Sequence, residues 1–220
     1  MGTVYNLILY ATPLLLKGAL VTAEIAIAGM ALGMILGVIL VILRISNLKL
    51  FQGLVAVYVS FIRGTPFLIQ ILIVFYSLAV LGLDLSNTLT GIIAVGLNTS
   101  AFISEVFRTG LNAIPKGHIE AAKALGMSKV MIFIRIKMLQ VFHIVKPQMV
   151  SEFINAIKVT PILSTIGVAE ITRVATRIVS RKLHPVTIYA LAFIIYFIVC
   201  SILESIQTRM TRKKAAEGRR

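Results

Sequence analysis

A polar stretch between two long apolar segments contains the residues whose types and spacing best suit a chemical role. Residues 115–126 read PKGHIEAAKALG and include Glu120, Ala121, Ala122, Leu125 and Gly126. A proline and a glycine at the start, and a glycine at the end, predict one short exposed helix with a breaker on each side. Glu120 can cap the start of its own helix, where a negative charge contributes about 0.3–1 kcal/mol, or it can equally pair with a basic residue of a partner. Small alanines let such a helix lie deep in a groove, so we expect it to bind a partner protein.

Polar and ionisable side chains inside the apolar segments form a second group of candidates. A charge at the centre of a membrane-spanning helix costs about 2.5–3.5 kcal/mol, so each is a functional candidate by default. For Glu24, burial against a neighbouring helix is favoured over contact with a substrate. For the others, structural roles such as interhelical hydrogen bonds compete evenly with a place on a pathway. The candidate substrate path consists of Glu24, Asn98, Glu152, Lys158 and Thr160.

Two further charged groups show helical spacing. Glu105 and Arg108 are three residues apart and can pair on one helix face, which suits a structural pair or a gate. Arg173, Arg177 and Arg181 recur every four residues and would also share a face. That face suits either docking of an acidic binding protein or a solvated position beside lipid headgroups.

Several kinds of catalytic and cofactor site are excluded by the sequence. The pattern G-x-x-x-x-G-K-[ST] is absent, so the chain lacks this phosphate-binding loop for ATP. The three histidines, His118, His143 and His184, lack the spacing of metal ligands. The single Cys200 excludes an internal disulfide framework, and no Ser, Cys or His arrangement indicates a nucleophile. We therefore expect a non-enzyme that binds neither a metal nor a cofactor itself.

The composition places the candidates in a membrane protein. The chain has 220 residues, of which 58% are hydrophobic and 14% charged, and its mean hydropathy is +0.97. Long apolar segments without strand-like alternation predict an all-α polytopic fold in a single domain over residues 1–220. Glycines four residues apart in the first segment (Gly29, Gly33 and Gly37) predict close helix packing. The five predicted spans are 18–43, 54–83, 89–106, a less apolar one around 144–157, and 186–203.

The net charge of +14 indicates orientation in the membrane. Basic residues cluster between spans without interleaved aromatic residues, which favours topology control over binding of nucleic acid. The loop at about 115–129 and the tail at about 205–220 are strongly basic, so both are predicted to be cytoplasmic, with the N-terminus outside. The basic residues around Arg177 disagree, since five spans place them outside.

The order of these motifs resembles the permease subunits of bacterial ABC importers for polar amino acids. The stretch from Glu120 to Gly126 is similar to the EAA loop of that family. The sequence RGTP at residues 63–66, the stretch 98–110, and the motifs at 152–154, 158–160 and 166–171 follow in the family order. The resemblance extends over about residues 12–208.

This resemblance implies a type I ABC importer permease fold with five transmembrane helices and a short cytoplasmic coupling helix. It implies cytoplasmic ABC ATPase partners that bind ATP and Mg²⁺, a second identical or different permease subunit, and an extracytoplasmic amino-acid-binding protein. Its location would be the bacterial inner membrane, in contact with lipid. The alternatives are a stand-alone secondary transporter, which usually shows paired repeats, or a non-transport membrane sensor subunit.

Two positions depart from the family pattern. Leu139 stands where the family usually has proline before Gln140, so the following helix is expected to be less kinked. Pro161 stands where the family usually has serine, and it is expected to push Thr160 towards extended geometry. The second departure puts a substrate preference taken from the family in doubt.

Overall fold

The structure, a computed structural model, describes residues 2–46 and 48–217, with side chains described for 4–46 and 48–212. The described residues form helices and no strand, as predicted. The α-helices are α1 Gly2–Ile45, α2 Lys49–Gly64, α3 Phe67–Val80, α4 Asn87–Asn112, α5 Lys116–Ala124, α6 Lys129–Ile132, α7 Leu139–Val159, α8 Ile171–Lys182 and α9 Pro185–Glu217. A π-helical segment Phe133–Met138 precedes α7, and a 3₁₀ helix Thr160–Ile166 follows it. Of the predicted basic tail, Arg219 and Arg220 lie outside the described residues.

The contact between α1 and α4 forms the centre of the fold and follows from the glycine spacing. A Cβ atom on Gly29, Gly33 or Gly37 would lie only 2.6–2.8 Å from a side-chain carbon of Val95, Thr99 or Ile103. The two helices therefore run side by side at a distance that only glycine permits at these positions. The predicted packing role of the three glycines is confirmed.

The N-terminal part of α1 is longer than predicted. The helix begins at Gly2, whereas the sequence predicted a span from residue 18. Pro13 and Lys17 do not end it, because Leu7, Ala11 and Leu15 are buried against α8 and α9. Burial of this apolar stripe stabilises a helix that the hydropathy pattern alone divides at Lys17.

The predicted second span is not one straight helix. Helices α2 and α3 are bent by 114° at Thr65 and Pro66, so residues 54–83 do not form the continuous helix that the sequence predicts. Pro66 supplies no N–H, and Thr65 is extended with φ −120° and ψ 150°. The buried Gln70 donates hydrogen bonds to the carbonyls of Ile62 (2.7 Å) and Thr65 (3.1 Å), which satisfies the backbone exposed by the bend.

The segment around α7 contradicts the expectation about Thr160, whereas the expectation of a less kinked helix after Leu139 stays a prediction. A π-helical segment stands directly before Leu139, so the helix is irregular there despite the missing proline. Thr160 has helical φ −57° and ψ −32° rather than extended geometry, although Pro161 follows it. The Thr160 hydroxyl donates a 2.8 Å hydrogen bond to the Ile157 carbonyl and the residue is fully buried, so packing outweighs the preference that proline imposes.

Three helices among the described residues are long and apolar enough to cross a membrane: Val4–Ile45, Asn87–Asn112 and Pro185–Arg212. The bent pair α2–α3 would be a fourth span. Helix α7 does not belong to this group, and it contains the charged residues Lys146, Glu152 and Lys158. The all-α membrane fold is confirmed, and the count of five spans stays a prediction.

Candidate functional site

The polar loop at residues 115–126 forms the short helix that its flanking proline and glycine residues predict. Helix α5 begins after Pro115 and ends before Gly126, which has φ +76°. Two hydrogen bonds close its C-terminus, from Gly126 N–H to the Lys123 carbonyl (2.9 Å) and from Met127 N–H to the Ala122 carbonyl (3.1 Å). This is a Schellman motif, in which the terminal glycine takes the left-handed conformation.

One face of α5 lies on the body of the protein and the other is exposed. Ala122 is buried, and Ile119 packs against the cluster that contains Phe107 and Val141. His118 Nδ1 lies 3.0 Å from Gln140 Oε1, which joins α5 to the start of α7. The inner face of α5 therefore packs against a cluster that includes side chains of α4 and α7.

The exposed face of α5 contains the remaining residues predicted for coupling. Glu120, Ala121 and Gly126 are exposed, and Leu125 is 82% exposed, so this face offers a partner both a carboxylate and an apolar side chain. Of the two alternatives for Glu120, capping of its own helix start is wrong, because α5 begins four residues earlier at Lys116. Its carboxylate is therefore free to contact a partner rather than to cap its own helix.

An ion cluster centred on Glu105 joins three helices. Glu105 accepts hydrogen bonds from Arg108 Nε (2.9 Å) and Nη2 (2.7 Å), and Arg44 of α1 donates to its other oxygen. Arg63 lies 3.9 Å away, with its guanidinium over the Phe102 ring. The predicted Glu105–Arg108 pair is present, and Arg44 and Arg63 add partners that local spacing does not reveal. One carboxylate thus holds α1, the end of α2 and α4 together.

Beside this cluster an open groove of about 520 Å³ lies between α4 and α7. Its wall includes Arg63, Glu105 and Arg108 on one side, and Gln148 and Glu152 on the other. Glu152 is buried and accepts a 3.2 Å hydrogen bond from Gln148 Nε2. The groove therefore presents carboxylate and guanidinium groups together, which suits a ligand with both charges.

The other residues of the predicted substrate path lie apart from this groove. Asn98 donates a 2.8 Å hydrogen bond to Gln70 Oε1, so it contacts α3 at the bend. Glu24 is exposed on α1, so no described helix of this chain covers it, and its role stays a prediction. Lys158 forms an exposed ion pair of 3.1 Å with Glu204 of α9. The five residues do not form one cluster, and their shared role stays a prediction.

Thr160 belongs to a buried polar network that sequence reasoning did not identify. Its hydroxyl lies 3.5 Å from Tyr196 Oη, and Tyr196 donates a 2.8 Å hydrogen bond to Glu170. Glu170 is completely buried and also accepts hydrogen bonds from the amides of Thr172 (2.8 Å) and Arg173 (2.7 Å). A glutamate directly before a helix was the available signal, since it can cap the first amides of α8.

Comparison with protein families identifies a match over most of the chain. The family described as binding-protein-dependent transport system inner membrane component matches residues 29–215. The L-cystine transport system permease protein TcyB of Bacillus subtilis is 35% identical over 202 residues, which cover 91% of this chain and 86% of that protein. The arginine transport system permease protein ArtQ of Bacillus subtilis is 32% identical over 91% of this chain and 92% of that protein. The putative glutamine transport system permease protein GlnP of Rickettsia typhi is 34% identical over 87% and 90%.

Comparison with solved structures gives the same fold. The crystal structure of an amino acid ABC transporter with histidines contains a chain with a TM-score of 0.88 and 28% identity, covering 94% of this chain and 96% of that one. The MetNI methionine ABC transporter in an inward-facing conformation matches with a TM-score of 0.72 at 18% identity, over 94% and 95%, and supports the fold alone.

Proposed function

Because the chain belongs to the family of binding-protein-dependent transport system inner membrane components, we propose that it is the membrane-spanning permease subunit of an ATP-driven amino acid uptake system. The observation that carries this proposal is the family match over residues 29–215, which includes all of α5. Relatives named for transport of cystine, arginine and glutamine support an amino acid as the substrate.

In this proposal, a partner protein supplies the energy for transport. The sequence lacks the phosphate-binding loop that an ATPase of this type needs, so cytoplasmic ABC ATPase subunits bind ATP and Mg²⁺ and hydrolyse the nucleotide. Helix α5 docks on the ATPase through Glu120, Ala121, Leu125 and Gly126. The exposure of Leu125 supports this role, because a partner groove removes an otherwise water-exposed apolar side chain from solvent.

Transmission into the membrane follows from what α5 touches. Ile119 on its inner face packs against a cluster that contains residues of α4 and α7, and Ala122 is also buried. The same two helices line the charged groove with Glu105 and Glu152. Movement of α5 by the ATPase therefore changes the width of this groove, and Glu152 contacts the amino group of the passing amino acid. Asn98 and Thr160 position the adjoining α3 and α9.

Assembly and orientation complete the proposal. Two permease subunits, identical or different, form the translocation path, and an extracytoplasmic binding protein delivers the amino acid. The basic charge of the loop around α5 and of the end of α9 supports a cytoplasmic position for both, with the N-terminus outside the bacterial inner membrane. This orientation puts the ion cluster of Glu105 near the cytoplasmic end of the helices.

Reconstitution tests the proposal. The permease and its cognate ATPase and binding protein are placed in liposomes, and amino acid uptake is measured with and without ATP. We expect uptake only with all components, and Glu120→Lys or Gly126→Val should abolish co-purification of the ATPase. Asp84→Lys is the matched control, because it makes the same charge change at an exposed residue far from α5.

Two outcomes would overturn the proposal. Uptake in liposomes that lack any ATPase would identify a secondary transporter instead. ATPase stimulation by the loaded binding protein without any uptake would identify a sensor subunit.

A thermal shift screen of the binding protein identifies which amino acid is transported.

A further inference from the structure

A groove between α1 and α8 is not explained by transport or by coupling to an ATPase. Its volume is about 420 Å³, and it lies at the opposite end of α1 from the Glu105 cluster. One face of each helix forms a wall. The residues that line the groove include Tyr10, Leu14, Lys17 and Val21 from α1, and Val174, Arg177, Ile178 and Arg181 from α8. We refer to this site as the α1–α8 groove.

Three cations converge on the α1–α8 groove without a counterion. Lys17, Arg177 and Arg181 form no ion pair with a carboxylate among the described residues. Glu170, which directly precedes α8, is fully buried and engaged by two amides and Tyr196. The site therefore has an unbalanced positive charge, which favours an anionic occupant.

The floor of the groove is apolar and joins the surface of the membrane-spanning part of α1. Leu14, Val21, Val174 and Ile178 supply hydrocarbon side chains between the cations. Next to them on α1, Leu16 is 51% and Leu20 is 72% exposed. A ligand in this groove consequently meets charge at one end and hydrocarbon at the other.

The position of Lys17 along α1 corresponds to a headgroup layer. At 1.5 Å per residue, about 40 Å of helix separates Lys17 from Arg44 in the Glu105 cluster. A bilayer with its headgroup regions is also about 40–45 Å thick. If Arg44 lies at one membrane surface, the cations of the groove lie at the other, where lipid phosphates are found.

We propose that the α1–α8 groove binds one anionic phospholipid. Its phosphate lies between Lys17, Arg177 and Arg181, and an acyl chain covers Leu14, Val21 and Val174. Anionic lipids bind where cations lie beside an apolar surface. Here the cations match the lipid phosphate, and the apolar side chains match the acyl chain. An acidic protein would satisfy the cations but leave the apolar floor, which continues onto the membrane-spanning surface, without a matching group.

The test uses the purified transport complex in neutral detergent, to which phosphatidylglycerol or phosphatidylcholine is added. Native mass spectrometry measures the bound lipid. The variant Lys17→Gln/Arg177→Gln/Arg181→Gln should bind phosphatidylglycerol at least about tenfold more weakly, with phosphatidylcholine unchanged. The control Lys49→Gln/Lys129→Gln/Arg135→Gln removes three exposed cations elsewhere and should retain the wild-type preference.

Three results would overturn the proposal. The first is equal phosphatidylglycerol binding by the two triple variants. The second is displacement of the lipid by glycerol phosphate at the same concentration, which indicates an anion site without an acyl chain. The third is loss of binding-protein affinity in the groove variant with lipid binding intact, which identifies a protein-docking face. If the triple variant does not fold, Arg181→Gln alone is compared with Arg135→Gln, since both side chains are exposed.

Discussion

Tyr196 of α9 donates a 2.8 Å hydrogen bond to the carboxylate of Glu170, which is completely buried at the N-terminus of α8. The same carboxylate caps the amides of Thr172 and Arg173. One side chain thus fixes both the start of α8 and its contact with α9. Because α8 packs on the N-terminal part of α1, this carboxylate also stabilises the contact between α8 and α1.

Removal of this carboxylate should destabilise the protein. In Glu170→Ala, two helix amides and the Tyr196 hydroxyl lose their acceptor inside the protein, at a cost of about 1–3 kcal/mol in the free energy of unfolding. Thermal unfolding in detergent measures the loss, and hydrogen exchange should show faster opening of α8. The control Glu204→Ala removes a carboxylate that is 54% exposed, where an ion pair contributes at most about 1 kcal/mol. Equal destabilisation by both variants would contradict a special role for Glu170.

The contact of Gly37 with Ile103 leads to a second prediction. A Cβ on Gly37 would lie 2.6 Å from Ile103 Cγ2, so Gly37→Ala should separate α1 from α4 and cost about 1–3 kcal/mol. Gly53→Ala is the control, because Gly53 is exposed within α2 and a Cβ added there would have no atom within 4 Å. It should raise stability by up to about 1 kcal/mol.

A double-mutant cycle identifies the cause of this loss. Ile103→Ala removes the Cγ2 atom at 2.6 Å but keeps the Cβ atom at 2.9 Å, so it relieves part of the collision. The pair Gly37→Ala/Ile103→Ala should therefore cost less than the sum of the two single changes. The measurement is the unfolding midpoint of the four proteins under one condition. Strict additivity would mean that the two positions do not collide.

Glu105 should be less replaceable than any one of its arginine partners. Glu105→Gln leaves three guanidinium groups close together and should lower the free energy of unfolding by about 1–3 kcal/mol, whereas Arg44→Gln leaves Glu105 paired with Arg108 and should cost less. The exchange Arg44→Glu/Glu105→Arg should not restore stability, because the new arginine would face Arg63 and Arg108. Recovery in this exchange variant would show that the Arg44 pair acts alone.

Local signals in the sequence are sufficient for some of these features. Pro115 and Gly126 mark the ends of α5 because helix breakers act on their own backbone. The glycine repeat predicts close packing because its period matches a helix face. The partners that complete each site are distant in sequence: Arg44 meets Glu105 across 61 positions, and Tyr196 meets Glu170 across 26. Such contacts depend on how helices pack, and no local spacing reveals them.

Three expectations from the sequence differ from the structure, and each difference has a physical cause. Hydropathy counts residues 54–83 as one apolar run, although Pro66 bends the chain and Gln70 satisfies the freed carbonyls. The preference of a residue before proline is weak, and for Thr160 the hydrogen bond to Ile157 and complete burial outweigh it. Glu120 lies farther from the helix start than expected because Lys116 already begins α5.

Gly126 has a positive φ, so a substitution there tests the backbone geometry of α5 separately from the bulk of an added side chain. Gly126 and Gly117 both have open space where a Cβ would lie, but only Gly126 has a left-handed backbone, with φ +76°. Gly126→Ala should therefore weaken the C-terminal turn of α5 by about 1–2 kcal/mol, whereas Gly117→Ala adds a good helix former within the helix.

The two glycine variants should therefore differ in coupling although each adds one methyl group. We expect Gly126→Ala to reduce both ATPase co-purification and ATP-driven uptake several-fold, because it disturbs the turn that presents Leu125. Gly117→Ala should retain both. Circular dichroism of the purified permease verifies that each variant keeps its helical content. Equal losses in the two variants would indicate that added bulk on α5, rather than the left-handed turn, disturbs docking on the ATPase.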